Sequence, residues 1–218
     1  MTKTFTRKDL KENNAETFHK GRWANADLLQ YRDGGKTWVI KDFSPCLLPV
    51  RYTYGKFMAR RELQFLQRLQ GIKGIPENPF LMDSFALCYV YIPGKNLKEA
   101  KKQFISPEYF LALEQLVREI HKHNVVHLDI RYMRNILITT AGNPALLDFQ
   151  SSFFLDKIPR FLHQLLKDVD ISGVYKCWQK INPESMDTQR LELLAAIEKK
   201  RSLWIFKGYP LGTRLSRR

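Results

Sequence analysis

The stretch His127–Asn135 reads HLDIRYMRN, and thirteen residues after its asparagine stands Asp148, within LLDFQ, Leu146–Gln150. Between them lie two short apolar runs, NILI and PALLDF, with a turn at Ala141–Asn143, which predicts a β-hairpin. An Asp and an Asn therefore bracket one end of that hairpin, and Asp148 stands at the other. Carboxylates are seldom placed beside apolar runs unless a cation holds them there. Asp129, Asn135 and Asp148 offer hard oxygen ligands of the kind magnesium takes beside phosphate substrates. Taken singly, each is equally a turn or cap residue, since Asp and Asn favour such positions.

Upstream, DLLQYRDGGKTWVIKDF, residues 27–43, holds two β-prone runs separated by Asp33, Gly34 and Gly35. That is a hairpin signal, and it places Lys41 at a strand end. FMARRELQFLQRL follows with Met58, Phe65, Leu66 and Leu69 at helical spacing. Glu62 falls inside the same apolar stripe, so it either turns out to solvent or meets a cation, for which Lys41 is the natural candidate. FALCYVYIPGKNL reads as a strand stopped by Pro93 and Gly94, a connector between two halves. SPEYFLALEQLVREIHKHN predicts the clearest helix, with Ser106 as N-cap, Pro107 at the first helical position and Phe110, Leu113, Val117 and Ile120 along one face. After Phe154 the pattern is helical to about Lys200.

The order Lys, Glu, Asp, Asn, Asp resembles the protein-kinase-like superfamily. WVIK is similar to its strand-lysine motif, Glu62 to the partner glutamate, HLDIRYMRN to the catalytic loop and DFQ to the metal-binding D-F-G. YVYIPGKNL resembles the hinge, and DISGVYK the helix whose aspartate, here Asp170, caps the catalytic-loop backbone. The resemblance runs from roughly Lys20 to Lys176. It implies an α+β, bilobal fold: a small antiparallel-sheet N-lobe over residues 1–92 and a compact, mostly helical C-lobe over 93–218.

The same resemblance implies ATP and Mg2+ as cofactors. Lys41, positioned by Glu62, would contact the α and β phosphates, while Gly21, Tyr91 and Ile92 would line the nucleotide site. Asn135 and Asp148 would hold the metal, Asp129 would accept the acceptor proton, and Arg131 would neutralise charge near the γ-phosphate. His127 reads as a packing residue, and His121 and His123 as helix-end residues favoured by the dipole.

The chain departs from the motifs in three places. Asn135 lies six positions after Asp129 rather than five, so its metal role requires the loop to bulge. HKGRWANAD has only Gly21 where a glycine-rich phosphate loop is common. Gln150 replaces the glycine of D-F-G and should restrict the backbone there. No A-P-E segment is visible, and within the superfamily the chain looks more like the bacterial lipopolysaccharide kinases, or the related RIO-like and aminoglycoside-type kinases.

The bulk numbers fit that expectation. The 218 residues carry 36 Lys plus Arg against 22 Asp plus Glu, a net charge of +14, which implies an anionic partner. The expected reaction is phosphoryl transfer from ATP to a hydroxyl of a lipopolysaccharide inner-core sugar. A RIO-like protein serine/threonine kinase is the alternative, and a non-catalytic nucleotide-binding scaffold a further one. The expected partner is thus an anionic glycolipid or sugar, or else a protein; no specific nucleic acid is expected, since no recognition motif accompanies the charge.

Cys46, Cys88 and Cys177 are odd in number and far apart, which suggests neither disulfides nor zinc and fits a reducing compartment. The first residues contain no apolar signal core, so a cytoplasmic location is expected, with peripheral contact at the inner membrane face as one option. The tail WIFKGYPLGTRLSRR reads either as a membrane or nucleic-acid contact or as a helix docking its aromatics on the C-lobe. Lys98, Lys101 and Lys102 read as a solvated face.

Overall fold

The computed structural model describes residues 5–12, 15–100 and 105–202. The aromatic, basic tail and the lysines Lys101 and Lys102 lie outside them. The N-terminal part is a five-stranded antiparallel sheet in the order β1-β2-β3-β5-β4. Its strands are β1 (Glu16–His19), β2 (Asp27–Asp33), β3 (Lys36–Asp42), β4 (Phe80–Leu81) and β5 (Ala86–Val90). The predicted β2–β3 hairpin is present, with Asp33 paired to Lys36. Gly34 and Gly35 both take positive φ, 57° and 73°. Two consecutive left-handed residues match the right-handed twist of the strands, and glycine reaches that conformation without a Cβ penalty.

A short helix α1 (Arg7–Glu12) closes one face of this sheet. Phe5 packs against Tyr31, Trp38 and Phe80 at ring separations of 4.8–5.5 Å. On the other side, α2 (Leu48–Val50) and a π-helical turn, Arg51–Gly55, lead into α3 (Lys56–Arg68). The apolar spacing read from the sequence becomes the buried side of α3, where Ala59, Glu62, Phe65 and Leu66 point inward.

The C-terminal part is largely helical. α4 (Pro107–Lys122) begins at Ser106, which has extended geometry. The expected side-chain cap is not formed. The Tyr109 amide instead donates to the Ser106 backbone carbonyl at 3.2 Å, which satisfies the group that the hydroxyl would have served. Two small sheets follow, β6-β8-β9 (Gly94–Asn96, Ile136–Thr139, Pro144–Leu146) and β7-β10 (Val125–Val126, Phe153–Phe154). α5 (Arg160–Ile181) and α6 (Thr188–Ser202) complete the chain's described helices.

One buried apolar cluster runs from Val39 and Phe65 through Phe110, Ile136 and Leu146 to Trp178 and Ile197. The sheet and the helices are therefore held in register by a common core, and β8–β9 carries its flanking polar residues to the junction. Among the described residues, no helix is long and apolar enough to cross a membrane.

Candidate active site

Lys41 leaves the end of β3 into that junction and is buried. Its ammonium donates to both oxygens of Glu62, at 2.7 and 2.8 Å, and to Asp148 Oδ1 at 2.9 Å. Burial alone would drive the lysine toward its neutral form, yet Asp148 and Glu62 together hold its pKa above the usual lysine range. The two carboxylates share one ammonium unequally. Burial also opposes charge on Asp148, but the Lys41 cation outweighs it and keeps Asp148 below the ordinary range. Glu62 is shifted upward, because its burial and the nearby Asp148 charge exceed the pull of Lys41.

Glu62 binds more than Lys41. The Phe149 amide donates to its Oε1 at 3.3 Å, and the Gln150 amide nitrogen approaches Oε2 at 3.4 Å. Gln150 thus links the D-F-G-like loop to α3 through its side-chain amide. Arg61, one residue earlier on α3, was not a candidate from sequence. Its guanidinium donates to the backbone carbonyls of Gln150 at 3.3 Å and Ser152 at 2.5 Å. The only local sign was a charged residue beside Glu62, and nothing in helical spacing tells which carbonyls it will meet.

Asp148 itself has φ 63°. An aspartate tolerates this left-handed geometry better than most residues, and the turn swings its carboxylate toward Lys41. The catalytic-loop stretch holds a second such residue, Leu128, also at φ 63°. Asp170 stabilises that turn from α5: its carboxylate accepts the His127 amide at 2.8 Å and the Leu128 amide at 2.7 Å. His121 Nε2 lies 3.0 Å from the same carboxylate and is buried. His121 stands in the last turn of α4 as read from sequence, but its ring is buried as a partner of Asp170 rather than left to the helix dipole alone. His127 packs as expected, its ring on Phe149 and its Nε2 3.0 Å from the Leu147 carbonyl.

Asp170→Ala removes a buried acceptor from two amides and one imidazole. Each orphaned donor costs about 1–3 kcal/mol, so a loss of roughly 3 kcal/mol or more in unfolding free energy is expected by urea titration. A change below about 1 kcal/mol would show that water replaces the carboxylate without penalty.

The extra residue between Asp129 and Asn135 is taken up by tight turns. The Tyr132 amide donates to the Asp129 carbonyl at 3.2 Å, and the Asn135 amide to the Tyr132 carbonyl at 2.8 Å. The loop coils as required, and Asn135 ends buried beside Asp129. Its Nδ2 donates to Asp129 Oδ2 at 2.9 Å and to the Asp129 carbonyl at 3.2 Å, leaving Oδ1 as its remaining ligand atom. Burial raises the Asp129 pKa against the opposing Asn135 hydrogen bond, as suits a proton acceptor. Arg131 is exposed on the same loop.

The nucleotide-side residues are less uniform. Gly21 sits where an added Cβ would lie 2.1 Å from the Asn25 carbonyl oxygen, so only glycine fits this turn. Its amide donates to Asp27 Oδ1 at 2.7 Å, so it closes the loop on itself. In the β5 exit, the Val90 amide donates to the Glu77 carbonyl at 2.9 Å and the Tyr91 amide to Thr37 at 2.8 Å. Tyr91 and Ile92 also line a cavity of about 1090 Å3 with Lys73, Glu77 and His123. Neither Lys41 nor Asp148 borders that cavity, so it lies apart from the charged cluster.

Oxygen ligands from Asp148 and Asn135, with Lys41 alongside, match the donor chemistry of magnesium held against phosphates. Among the described residues, no cluster of three His, Cys, Asp or Glu side chains suited to a metal ion exists. Any cation here would thus take part of its shell from a ligand, as magnesium–nucleotide sites do.

No protein-family model matches the chain, and no curated protein matches it. Solved structures do. One is a Rio2 kinase from Chaetomium thermophilum in an ADP/Mg2+-phosphoaspartate complex, at 13% identity, covering 89% of this chain and 74% of that one with a TM-score of 0.59. That likeness establishes a protein-kinase-like fold, α+β with an antiparallel N-terminal sheet and a largely helical C-terminal part.

Proposed function

We propose that the protein is a magnesium- and ATP-dependent phosphotransferase acting on a hydroxyl group. The observation that carries this reading is the single ammonium of Lys41 bound by Glu62 and Asp148, with Asp129 and Asn135 joined directly across the catalytic loop. Phosphoryl transfer needs positioning and charge neutralisation more than covalent help. Lys41 would bind the nucleotide phosphates, and Glu62 keeps that cation aimed. Asp148 and Asn135 would hold Mg2+, which when bound supplies charge neutralisation across the phosphates. Asp129 would orient the acceptor hydroxyl and take its proton, and Arg131 supplies further positive charge on the acceptor side.

Of the acceptor classes, a protein serine or threonine in the RIO-like manner has the better support, because the similar structure is that of a Rio2 kinase. A lipopolysaccharide inner-core sugar is favoured by one separate observation, the net charge of +14, which suits an anionic glycolipid. Only twelve positions separate Asp148 from Arg160, the start of α5. That link is too short for a long phosphorylatable activation segment, so a site ready without such a switch is expected. The three cysteines, none disulfide-bonded, accord with a cytoplasmic site of action.

Incubation with γ-labelled ATP and magnesium, offering rough lipopolysaccharide and a mixed protein fraction in parallel, tests the acceptor. Label in protein supports the RIO-like reading, and label in glycolipid the sugar reading. Label in neither, with no ATP consumed, would refute phosphotransfer itself.

The raised pKa of Asp129 fixes the sign of the pH dependence. The base works only when deprotonated, so turnover falls as pH drops through that value. The acidic limb should therefore lie above the ordinary aspartate pKa of about 3.9. A kcat profile flat down to pH ~4 would remove Asp129 as the base.

A further inference from the structure

Several large apolar side chains stand in solvent. Trp23, at the turn between β1 and β2, is 91% exposed. The Cys46 thiol donates to the Asn25 carbonyl at 3.5 Å, which sets this turn against the segment holding Leu47 and Leu48, themselves 70% and 62% exposed. The helical run from Leu48 leads directly to Phe57. Arg61 then links Phe57 to Phe153, with its guanidinium 5.9 and 4.7 Å from the two rings. Phe153 lies five positions after Asp148, and Phe161, 82% exposed, follows in the first turn of α5. The strip thus passes from the β1–β2 turn through α2 and the start of α3 to the segment that follows Asp148.

Its charge is one-signed. Arg22 precedes Trp23, Lys56 precedes Phe57 and Arg160 precedes Phe161. Residues 17–26 and 43–61 contain no Asp or Glu, and residues 149–167 contain only Asp156, which is bound to Arg68 at 3.0 Å. Contiguous exposed apolar surface marks an interaction site. Protein interfaces deplete charge at their apolar centre, whereas here a cation stands directly beside an exposed ring at three places, Arg22–Trp23, Lys56–Phe57 and Arg160–Phe161. Single-stranded nucleic acid would use the rings for stacking but gives the leucines nothing apolar to enter. A bilayer interface provides both, with aromatic and aliphatic side chains among the acyl chains and Lys and Arg on the headgroup phosphates.

We propose that this basic, aromatic rim docks on an anionic phospholipid bilayer and holds the mouth of the site against it, so that the acceptor hydroxyl belongs to a membrane-held molecule. The last clause rests on the phosphotransferase reading; the docking does not.

The test uses the full chain carrying Trp204→Phe. Trp38 and Trp178 are buried, so Trp23 becomes the reporting indole and the tail contributes none. Vesicles of equal parts phosphatidylglycerol and phosphatidylcholine, with brominated acyl chains, should quench its fluorescence, and pure phosphatidylcholine should not. Adding Trp23→Ser and Phe161→Ser should weaken vesicle co-sedimentation about tenfold while the urea unfolding midpoint, the control for folding, stays unchanged. Absent quenching, equal binding to neutral vesicles, or undiminished binding by the double variant would overturn the proposal. So would loss of binding to a short oligonucleotide in that variant while vesicle binding persists, which would assign the rim to a polyanion. Vesicle binding is read without ATP. If it holds while ATP turnover is absent, the catalytic reading alone fails; if turnover occurs without vesicle binding, the docking alone fails.

Discussion

Replacing Asp129 with Asn is expected to lower phosphoryl transfer about a thousandfold while nucleotide affinity changes less than about twofold. The variant keeps the side chain's size, and its carbonyl oxygen can still accept from Asn135 Nδ2, now 2.9 Å from the carboxylate. What it loses is the basic carboxylate oxygen that, on the proposed mechanism, takes the hydroxyl proton. Glu62 and Asp148 each accept from Lys41, and none of the three is bonded to Asp129, so the phosphate side should change little. Single-turnover rates and equilibrium binding of ATP measure the two effects separately. A variant with normal single-turnover rate would take the base role away from Asp129.

Asp148→Asn should act on the other quantity. Asparagine tolerates the φ of 63°, so the backbone turn is kept while the anionic ligand is lost. Magnesium-dependent nucleotide affinity is expected to fall about thirtyfold, roughly 2 kcal/mol. Without magnesium the sign reverses. Asp148 then repels the phosphates, so removing its charge should leave affinity equal or tighter. Calorimetric titration at several magnesium concentrations reads both arms, and an unchanged magnesium dependence would be incompatible with Asp148 as a ligand. Lys41 also loses one of its two carboxylate partners, which frees its ammonium for the phosphates and reinforces the magnesium-free result.

Much of this arrangement was legible because it is written in local patterns. The Asp33–Lys36 turn follows from consecutive glycines, and the buried side of α3 from apolar residues three and four apart. Glu62 stood out because a carboxylate inside that stripe needs a cation. The order of five polar residues then tied distant segments together. Other contacts have no local signature. Arg61 reaches the carbonyls of Gln150 and Ser152 only because α3 and the metal-loop segment meet in space. His121 looks from its position like a helix-end cation, and only tertiary packing sets it on Asp170. That Gly21 leaves no room for a Cβ, and that Asp27 occupies its amide, are likewise visible only in the folded turn.

The most direct measurement of the central claim is γ-phosphate release or transfer from labelled ATP by the purified full chain, with and without magnesium, beside Asp129→Asn. The account predicts turnover by the wild type that requires magnesium, and a variant that binds ATP yet transfers about a thousandfold more slowly. A wild-type protein that neither binds nor consumes ATP with magnesium present would contradict it, as would equal turnover by the variant.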